Sequence, residues 1–545
     1  MCTASLALAG CAGAPPRAAP PTQPDLAAVL LAEIAAARND LPAAAHQYAS
    51  VAAHSGSPAL LERAASLALE AQQPRQALAA AERWSTLAPA EARAHEFAGR
   101  AALDLYEIAL SSRHFTRLLS LQAKAEDAGF ARLSELLSEA EDAYAARRVA
   151  DLLAAPYPAS APALRMRGLA QAAADDDASA VANLRRSWQL APAAETGWAL
   201  ARALGASGQQ HEALALANDL AAKGEAADRL QHASLLILLD RTPAAQAELE
   251  GLLDSPERGA DALRLMGRLQ LQRGDLEAAA TCFERLVKQG HYPSDAFYFL
   301  GRIAERRGDD ETALRLYARV EEGDNVLAAM LHAAAILRRG GSVPDSDRLL
   351  DGLLLDAPSR APQIIAARAQ IHADDEEARR ALALVEAALV RYPDNFELHL
   401  KRAEMLERSD DLRAALRELG TLERRRPGDP TAMNALGYTL ADHAQQLPRA
   451  RRLIEAALLQ APQSAAIRDS LGWVLYRQGQ AREALPHLVA AFAVDRGAET
   501  GAHLGEVLWA LDQHEEAHRV WEQASLDDPR DRVLRSTVAR LTGGR

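Results

Sequence analysis

The sequence predicts an all-α solenoid, a superhelical array of antiparallel helix pairs, from its composition and from a recurring spacing of small residues. Hydrophobic residues make up 49% of the 545 positions, yet aromatic residues make up only 4%. The apolar content is mostly alanine and leucine, which favours close helix-on-helix packing over a sheet core. Strand-like runs rich in valine, isoleucine and threonine are absent from the sequence.

Small residues recur about every 34 positions in the second half of the chain, at Gly267, Gly301, Ala335, Ala369, Ala403, Gly437, Gly472 and Gly505. A second small residue follows twelve positions later, and a large one four positions after that, as in Ala279 with Phe283 and Ala484 with Leu488. Prolines close the units. This rhythm resembles the tetratricopeptide (TPR) helix pair, whose helices bury their apolar stripes only by stacking on neighbouring pairs.

The same phase divides the chain into segments of different regularity. We predict a truncated lipoprotein signal at 1–11, a proline-rich tether at 12–24, N-terminal TPR-like repeats at 25–122, a degenerate helical segment at 123–160, divergent repeats at 161–259, a regular TPR array at 260–531, and a capping helix with tail at 532–545. A short amphipathic helix at the end would cover the exposed last face of the array.

The first residues indicate a lipid anchor. The tetrad from Leu8 to Cys11 resembles the lipobox of bacterial lipoproteins, in which the cysteine carries the lipid, and five prolines follow before Asp25. A signal peptide normally begins with a basic region, yet no lysine or arginine precedes Arg17, so the predicted signal is truncated. The resemblance implies lipidation at Cys11 and a location on the periplasmic face of the outer membrane.

Charge and motifs exclude several functions. The net charge of -13 argues against nucleic-acid binding, which depends on lysine and arginine neutralising phosphates. We find no glycine-rich phosphate loop, no zinc-protease motif and no nucleophile elbow in the sequence. The fifteen histidines show no metal-ligand spacing. The sequence therefore predicts a protein without catalytic activity, cofactor or metal.

Motifs in the last repeats are more specific than the general rhythm. They run from Asn434 to Asp442, from Asp469 to Arg477 and from His503 to Trp509. Together with Leu31–Ile34 and Glu82–Trp84, they resemble a family of proteobacterial outer-membrane TPR lipoproteins. One type in that family is the lipoprotein binding partner of a periplasmic carboxyl-terminal processing protease.

The resemblance implies an adaptor that holds a periplasmic serine protease and its substrates, which in that type are cell-wall cross-link hydrolases. Two alternatives stay open. One is an assembly factor or scaffold for an outer-membrane or secretion complex, and the other is an accessory chain of an envelope enzyme. The second alternative needs a catalytic domain, whereas the repeat pattern runs to Pro529.

The predicted binding site lies on the first helices of the last three full units. Residues just after the small glycine face the concave groove in this repeat type, and polar residues one turn away share that face. The candidate residues are Asn434, Tyr438, Asp469, Trp473, Tyr476, Arg477, Glu506 and Trp509. Aromatic side chains with polar edges suit a peptide or partner helix. The alternative is that Trp473 and Trp509 pack between helices as core.

Overall fold

The computed structural model describes residues 26–122, 126–374, 377–526 and 531–543, and throughout these ranges the regular structure is helical, without strands. The first sixteen α-helices are α1 Leu26–Ala37, α2 Leu41–His54, α3 Pro58–Glu70, α4 Pro74–Leu87, α5 Ala92–Asp104, α6 Ile108–Leu121, α7 Glu126–Ser138, α8 Ala143–Ala154, α9 Ala161–Ala173, α10 Asp177–Leu190, α11 Ala194–Ala206, α12 Gln210–Lys223, α13 Ala226–Leu238, α14 Thr242–Glu250, α15 Gly259–Gln272 and α16 Leu276–Gln289.

The second half continues the series, with one short 3-10 helix at Pro358–Arg360 before α21. The helices are α17 Pro293–Arg306, α18 Asp310–Tyr317, α19 Val326–Arg339, α20 Val343–Asp356, α21 Ala361–Asp374, α22 Ala378–Arg391, α23 Phe396–Arg408, α24 Leu412–Arg425, α25 Pro430–Asp442, α26 Leu447–Gln460, α27 Ala465–Arg477, α28 Ala481–Val494, α29 Ala498–Ala510, α30 His514–Ala524 and α31 Arg532–Thr542.

Short turns between helices set the pairing, because each helix folds back onto the one before it. After α15 the chain turns at Gly274, whose φ of +79° is left-handed and suits glycine. The next residue, Asp275, caps α16 by accepting a hydrogen bond from the backbone N–H of Ala278 at 3.0 Å. Consecutive helices pack against each other, and first helices of neighbouring pairs also touch, so the array is a TPR-like solenoid, as the sequence predicts.

In the regular pairs, the small residue of the first helix contacts the large residue sixteen positions later, on the second helix of the same pair. A Cβ added at Gly472 would lie 2.5 Å from Cγ of Leu488, and one added at Gly267 would lie 2.8 Å from Cζ of Phe283. The large residue that contacts Gly437 is Ile454, seventeen positions later, because the turn after α25 contains one extra residue. The predicted spacing thus marks the seam within each pair.

One unit is phased differently from the prediction. The sequence pattern assigns the small position of α19 to Ala335, but Ala334 is fully buried and Ala335 is only partly buried. The matching positions on α20 are Ser346 and Leu350, both buried. The reason is local. Helix α18 ends early, at Tyr317, and after the irregular stretch that follows, the buried small residue of α19 comes one position earlier than the 34-residue spacing predicts.

The segment predicted to be degenerate contains α7 and α8. There the usual order of contacts changes, since α7 packs chiefly against α9 and α8 packs chiefly against α6 and α9. Buried side chains from these helices, such as Phe130, Leu133 and Val149, form one cluster with Phe115 of α6.

The solenoid winds back on itself, so that helices α2–α10 meet helices α20–α27 of the following turn. We call this contact the inter-turn seam. Its hydrogen bonds and ion pairs join Asn39 to Leu355, Asp40 to Arg391, Gln73 to Arg391, Arg75 to Asp394, Glu141 to Gln363, Asp142 to Arg426, Tyr144 to Gln460, Arg147 to Gln460, and Asp175 to Gln463.

Candidate functional site

First helices α23, α25, α27 and α29 line a concave cavity of about 1350 Å³ together with one face of α31. On α25 the cavity residues Ala435, Tyr438, Thr439 and Asp442 stand at positions i, i+3, i+4 and i+7, so they share one helix face. Trp473 lines it from α27, and His503 and Glu506 line it from α29. We call this cavity the concave groove.

Three of the sequence-predicted residues thus lie together in the groove: Tyr438, Trp473 and Glu506. Tyr476 and Arg477 line an adjoining cavity of about 610 Å³, which shares Trp473 and Glu506 with the groove. The sequence correctly placed these residues on one side of the last repeats. Their role in binding stays a prediction.

Trp473 is largely buried, and its polar edge is satisfied within the protein. Its side chain is 6% exposed, and its indole N–H donates to Oδ1 of Asp442 at 3.1 Å. The imidazole of His503 stacks on the indole with ring centroids 4.2 Å apart. Trp473 therefore packs between first helices and also forms part of the groove wall. The two alternatives considered for it, a core residue and a groove residue, both describe part of its environment.

Asp469 and His503 form a buried pair beneath the groove. Nδ1 of His503 lies 2.7 Å from Oδ2 of Asp469, and both side chains are buried. Burial lowers the pKa of His503, but the adjacent negative charge and hydrogen bond of Asp469 outweigh it, so the net pKa is raised. The pair favours an imidazolium whose charge Asp469 neutralises.

Two buried acceptors near the groove have unused hydrogen-bonding capacity. Oδ1 of Asp469 and Oδ1 of Asn434 have no hydrogen-bond partner among the described residues. Each lies three positions before the small glycine of its helix, Gly472 or Gly437, so they occupy matching places on neighbouring first helices. A buried acceptor without a donor costs about 1–3 kcal/mol.

Tyrosine hydroxyls cross-link the first helices along the groove. Tyr438 donates to Glu499 at 2.7 Å, which joins α25 to α29 across the intervening pair. Tyr476 donates to Glu506 at 3.3 Å, and Arg540 of α31 also pairs with Glu506. The groove wall is therefore a polar-edged aromatic surface whose positions are coupled over three consecutive pairs.

Trp509 lies elsewhere. Its ring stacks on His514 with centroids 4.1 Å apart and lies 5.7 Å from the ring of Trp521, both on α30. It packs within its own helix pair and does not line the groove. In this pair the residue four positions after the glycine turns toward the second helix, which the spacing rule did not predict.

His503, Asp442 and Glu499 line the groove but were not among the predicted residues. The signal for His503 was present in the sequence, since a histidine stands two positions before Gly505 on the face that carries the predicted residues. Asp442 and Glu499 give no comparable signal. Their place follows from contacts between helices that are 31 and 61 residues apart in the chain.

Three potential metal ligands also meet at one end of the groove. Glu407, Asp442 and His443 each bring one ligand atom within 4.8 Å of the others. Protein partners already engage them, because Nε2 of His443 lies 2.6 Å from Oε1 of Glu407 and Oδ1 of Asp442 accepts from Trp473 and Arg477. We assign no metal to this cluster.

Cys11 and the tether lie outside the residues that the structure describes. Within the described ranges, no helix combines the length and apolar character that a membrane crossing requires.

The family model for the tetratricopeptide repeat matches residues 264–328 and 366–430. A TPR repeat-containing protein of Pseudomonas aeruginosa is 31% identical over 227 residues, which are 42% of this chain and 38% of that protein. The chain thus aligns with well under half the length of that relative. The two matched stretches are tetratricopeptide repeats, and the same helix-pair geometry continues on both sides of them.

Solved structures with similar arrays include a thermophilic TPR protein of Thermus thermophilus, at 22% identity and a TM-score of 0.30, covering 33% of this chain and 98% of that one. Yeast Tom70 aligns at 15% identity and a TM-score of 0.34, covering 83% of this chain and 95% of its own.

Proposed function

We propose that this chain is a scaffold that binds other proteins through the concave groove, tethered through a lipid on Cys11 to the periplasmic face of the outer membrane. In this proposal it is an adaptor for a carboxyl-terminal processing protease and its cell-wall hydrolase substrates. The observation that carries the binding part is the groove itself, an open cavity of about 1350 Å³ walled by tyrosine, tryptophan, histidine and carboxylate side chains.

The groove chemistry suits a peptide or a partner helix. Aromatic side chains with a polar edge give large contact area at low cost in side-chain entropy, and they are enriched at binding hot spots. The carboxylates of Asp442, Glu499 and Glu506 add acceptors for backbone or side-chain N–H groups of a bound segment. The protease and hydrolase partners rest on the resemblance of the motifs between Asn434 and Trp509.

A scaffold assists a protease in two physical ways. It stabilises the active conformation or assembly by binding it more tightly than the inactive one. It also raises the local substrate concentration when enzyme and substrate dock on the same array. Neither way requires catalytic groups in the scaffold, so the isolated chain should cleave nothing.

Reconstitution tests the partner directly. Protein from Asp25 onward is mixed with the cognate protease and a cell-wall hydrolase, and complex formation and cleavage are followed with and without the scaffold. We expect a complex and faster cleavage. Absence of both a complex and a rate change would contradict the adaptor role and leave an assembly factor for an outer-membrane or secretion complex as the better account.

Tyr438→Ala should weaken partner binding on the order of tenfold, the loss expected for one well-placed aromatic anchor. Tyr438 is suitable because it is only partly buried and lines the groove. The matched control is Trp509→Ala, which removes an aromatic side chain from α29 outside the groove. Isothermal titration with circular dichroism on both variants separates lost binding from lost folding, and equal loss of affinity in the two variants would argue against the groove.

Cys11→Ala tests the anchor. With a complete signal, the wild-type protein should fractionate with membranes and begin at a lipidated cysteine, whereas the variant should become soluble in the periplasm. The reason is that no described helix can replace a lipid as a membrane anchor. Mass spectrometry of the mature N-terminus and fractionation provide the readouts, and unchanged membrane fractionation of the variant would rule out this anchor.

A further inference from the structure

The inter-turn seam is centred on a buried arginine from the later turn. Arg426 is 9% exposed and pairs with Asp142 of the earlier turn and Asp429 of its own. Its guanidinium carbon lies 3.9 Å from the ring centroid of Phe396 and 5.1 Å from that of Tyr106. A buried guanidinium is tolerated only when it is paired, so this side chain favours the state in which the two turns are in contact.

A second arginine, from the earlier turn, anchors the seam in the opposite direction. Arg147 is 7% exposed and donates to the backbone carbonyl of Gln460 at 2.9 Å and to its side-chain oxygen at 3.1 Å. The hydroxyl of Tyr144 donates to the same side-chain oxygen at 3.1 Å. Two reciprocal anchors therefore fix the register between α8 and the ends of α24 and α26.

Between these anchors the two turns do not close completely. They enclose a cavity of about 780 Å³ whose described lining contains nine carboxylate side chains and two guanidinium groups. The carboxylates are Glu70, Asp104, Glu139, Glu141, Asp142, Asp175, Asp394, Glu397 and Asp429. These like charges repel one another across the cavity, which favours separation of the two turns. The arginine anchors oppose this tendency.

The seam cavity and the concave groove are lined by the same three helices, and Leu400 of α23 lines both of them. The N-terminal ends of α23, α25 and α27 line the seam cavity, through residues such as Phe396, Thr431 and Ile467. The later turns of these helices line the groove, through Glu407, Tyr438 and Trp473. At 1.5 Å per residue, the nearest seam-lining and groove-lining residues are no more than about 9 Å apart along each helix. A tilt of these helices at the seam therefore changes the groove.

We propose that the inter-turn seam is a clasp that regulates the concave groove. Closed, it holds the N-terminal ends of α23, α25 and α27 against the earlier turn and keeps the groove at its volume of about 1350 Å³. Open, it frees these helices to spread and admit a protein partner. The regulatory part rests on the proposed function of the groove, whereas the clasp itself rests on the seam contacts alone.

The clasp is tested on the full chain with Arg147→Met and Arg426→Met combined. Methionine keeps much of the side-chain length but removes both charges. This leaves Asp142 and Asp429, the partners of Arg426, uncompensated, together with Asp176, which pairs with Arg147. We expect a larger radius of gyration by small-angle scattering and hydrogen exchange on the order of tenfold faster at the N-terminal ends of α23, α25 and α27. Helicity by circular dichroism should be unchanged.

Two further variants distinguish opening of the seam from misfolding of the chain. Arg424→Met is the matched control, because Arg424 is exposed in the last turn of α24, two residues before Arg426, and its guanidinium donates to the hydroxyl of Thr421 within the same helix. Gln460→Ala weakens the second anchor from the other side without removing a charge.

Unchanged scattering and exchange in the double variant would overturn the clasp. If the variant opens but binds the protease with wild-type affinity, regulation of the groove is wrong. If wild-type protein binds no protease, the proposed function fails, and the clasp is then judged by scattering and exchange, which require no partner.

Discussion

Gly472→Leu is expected to destabilise the last helix pairs by roughly 1–3 kcal/mol through overpacking. Even a Cβ at this position would lie 2.5 Å from Cγ of Leu488 and 3.3 Å from the backbone oxygen of Ala484. The backbone atom belongs to α28 and cannot rotate away, so α27 and α28 must move apart. Because repeats couple mainly to their neighbours, the damage should be confined to nearby pairs.

Hydrogen exchange resolved by helix measures this outcome. Protection should fall in α25–α30 and stay unchanged in α1–α4. The control is Gly352→Ala on α20, where an added Cβ would have no neighbour within 4 Å. That change should be neutral or stabilise the protein by up to about 1 kcal/mol, because alanine lowers the entropy of the unfolded chain. Uniform loosening along the chain in Gly472→Leu would contradict the repeat-by-repeat account.

Acidification from about pH 7 to about pH 5 is expected to cost the N-terminal pairs up to about 2 kcal/mol through His114. Burial, and then repulsion by His95 and Arg113, lower the pKa of His114 from 6.5 to about 4. Its side chain is 7% exposed, and its Nδ1 lies 3.1 Å from Nδ1 of His95, so the two rings share one proton between these atoms. Glu82 is the nearest carboxylate, at 4.0 Å.

The direction follows from which state binds the proton. Below pH 6.5 an unfolded His114 becomes charged, whereas the folded side chain stays neutral until about pH 4. Stability from this residue is therefore complete above pH 6.5 and is lost as the pH falls toward 4. Burial also lowers the pKa of His95, so the neighbouring ring acts in the same direction.

Urea unfolding of the N-terminal pairs at the two pH values provides the measurement. His114→Gln removes the titrating group, so its stability should depend less on pH over this interval. His46→Gln is the control, since His46 is exposed on α2 and its removal should leave the pH dependence unchanged. An identical pH dependence in wild type and His114→Gln would show that the histidine pair is not responsible.

Local residue spacing was sufficient to predict the helix pairs and much of the candidate site. Gly267 and Phe283 meet as the interval of sixteen predicts, because both residues belong to one pair joined by a short turn. Where the turn changed, the prediction slipped: Ala335 was chosen, and Ala334 is the buried residue. The early end of α18 at Tyr317 accounts for this difference. A fixed interval of 34 residues assumes constant helix and turn lengths, and a shift of one residue rotates the buried face of the next helix by 100°.

The sequence by itself determined the all-α fold, the pairing of helices and the face on which Tyr438, Trp473 and Glu506 lie, because these follow from contacts within a pair or between adjacent pairs. Only the tertiary structure decided that Trp509 turns toward α30 and that Arg426 meets Asp142, 284 residues away. The physical reason is that each repeat is rotated slightly relative to the one before it, and these rotations add up along the chain. No local motif predicts whether their sum brings one superhelical turn into contact with the next.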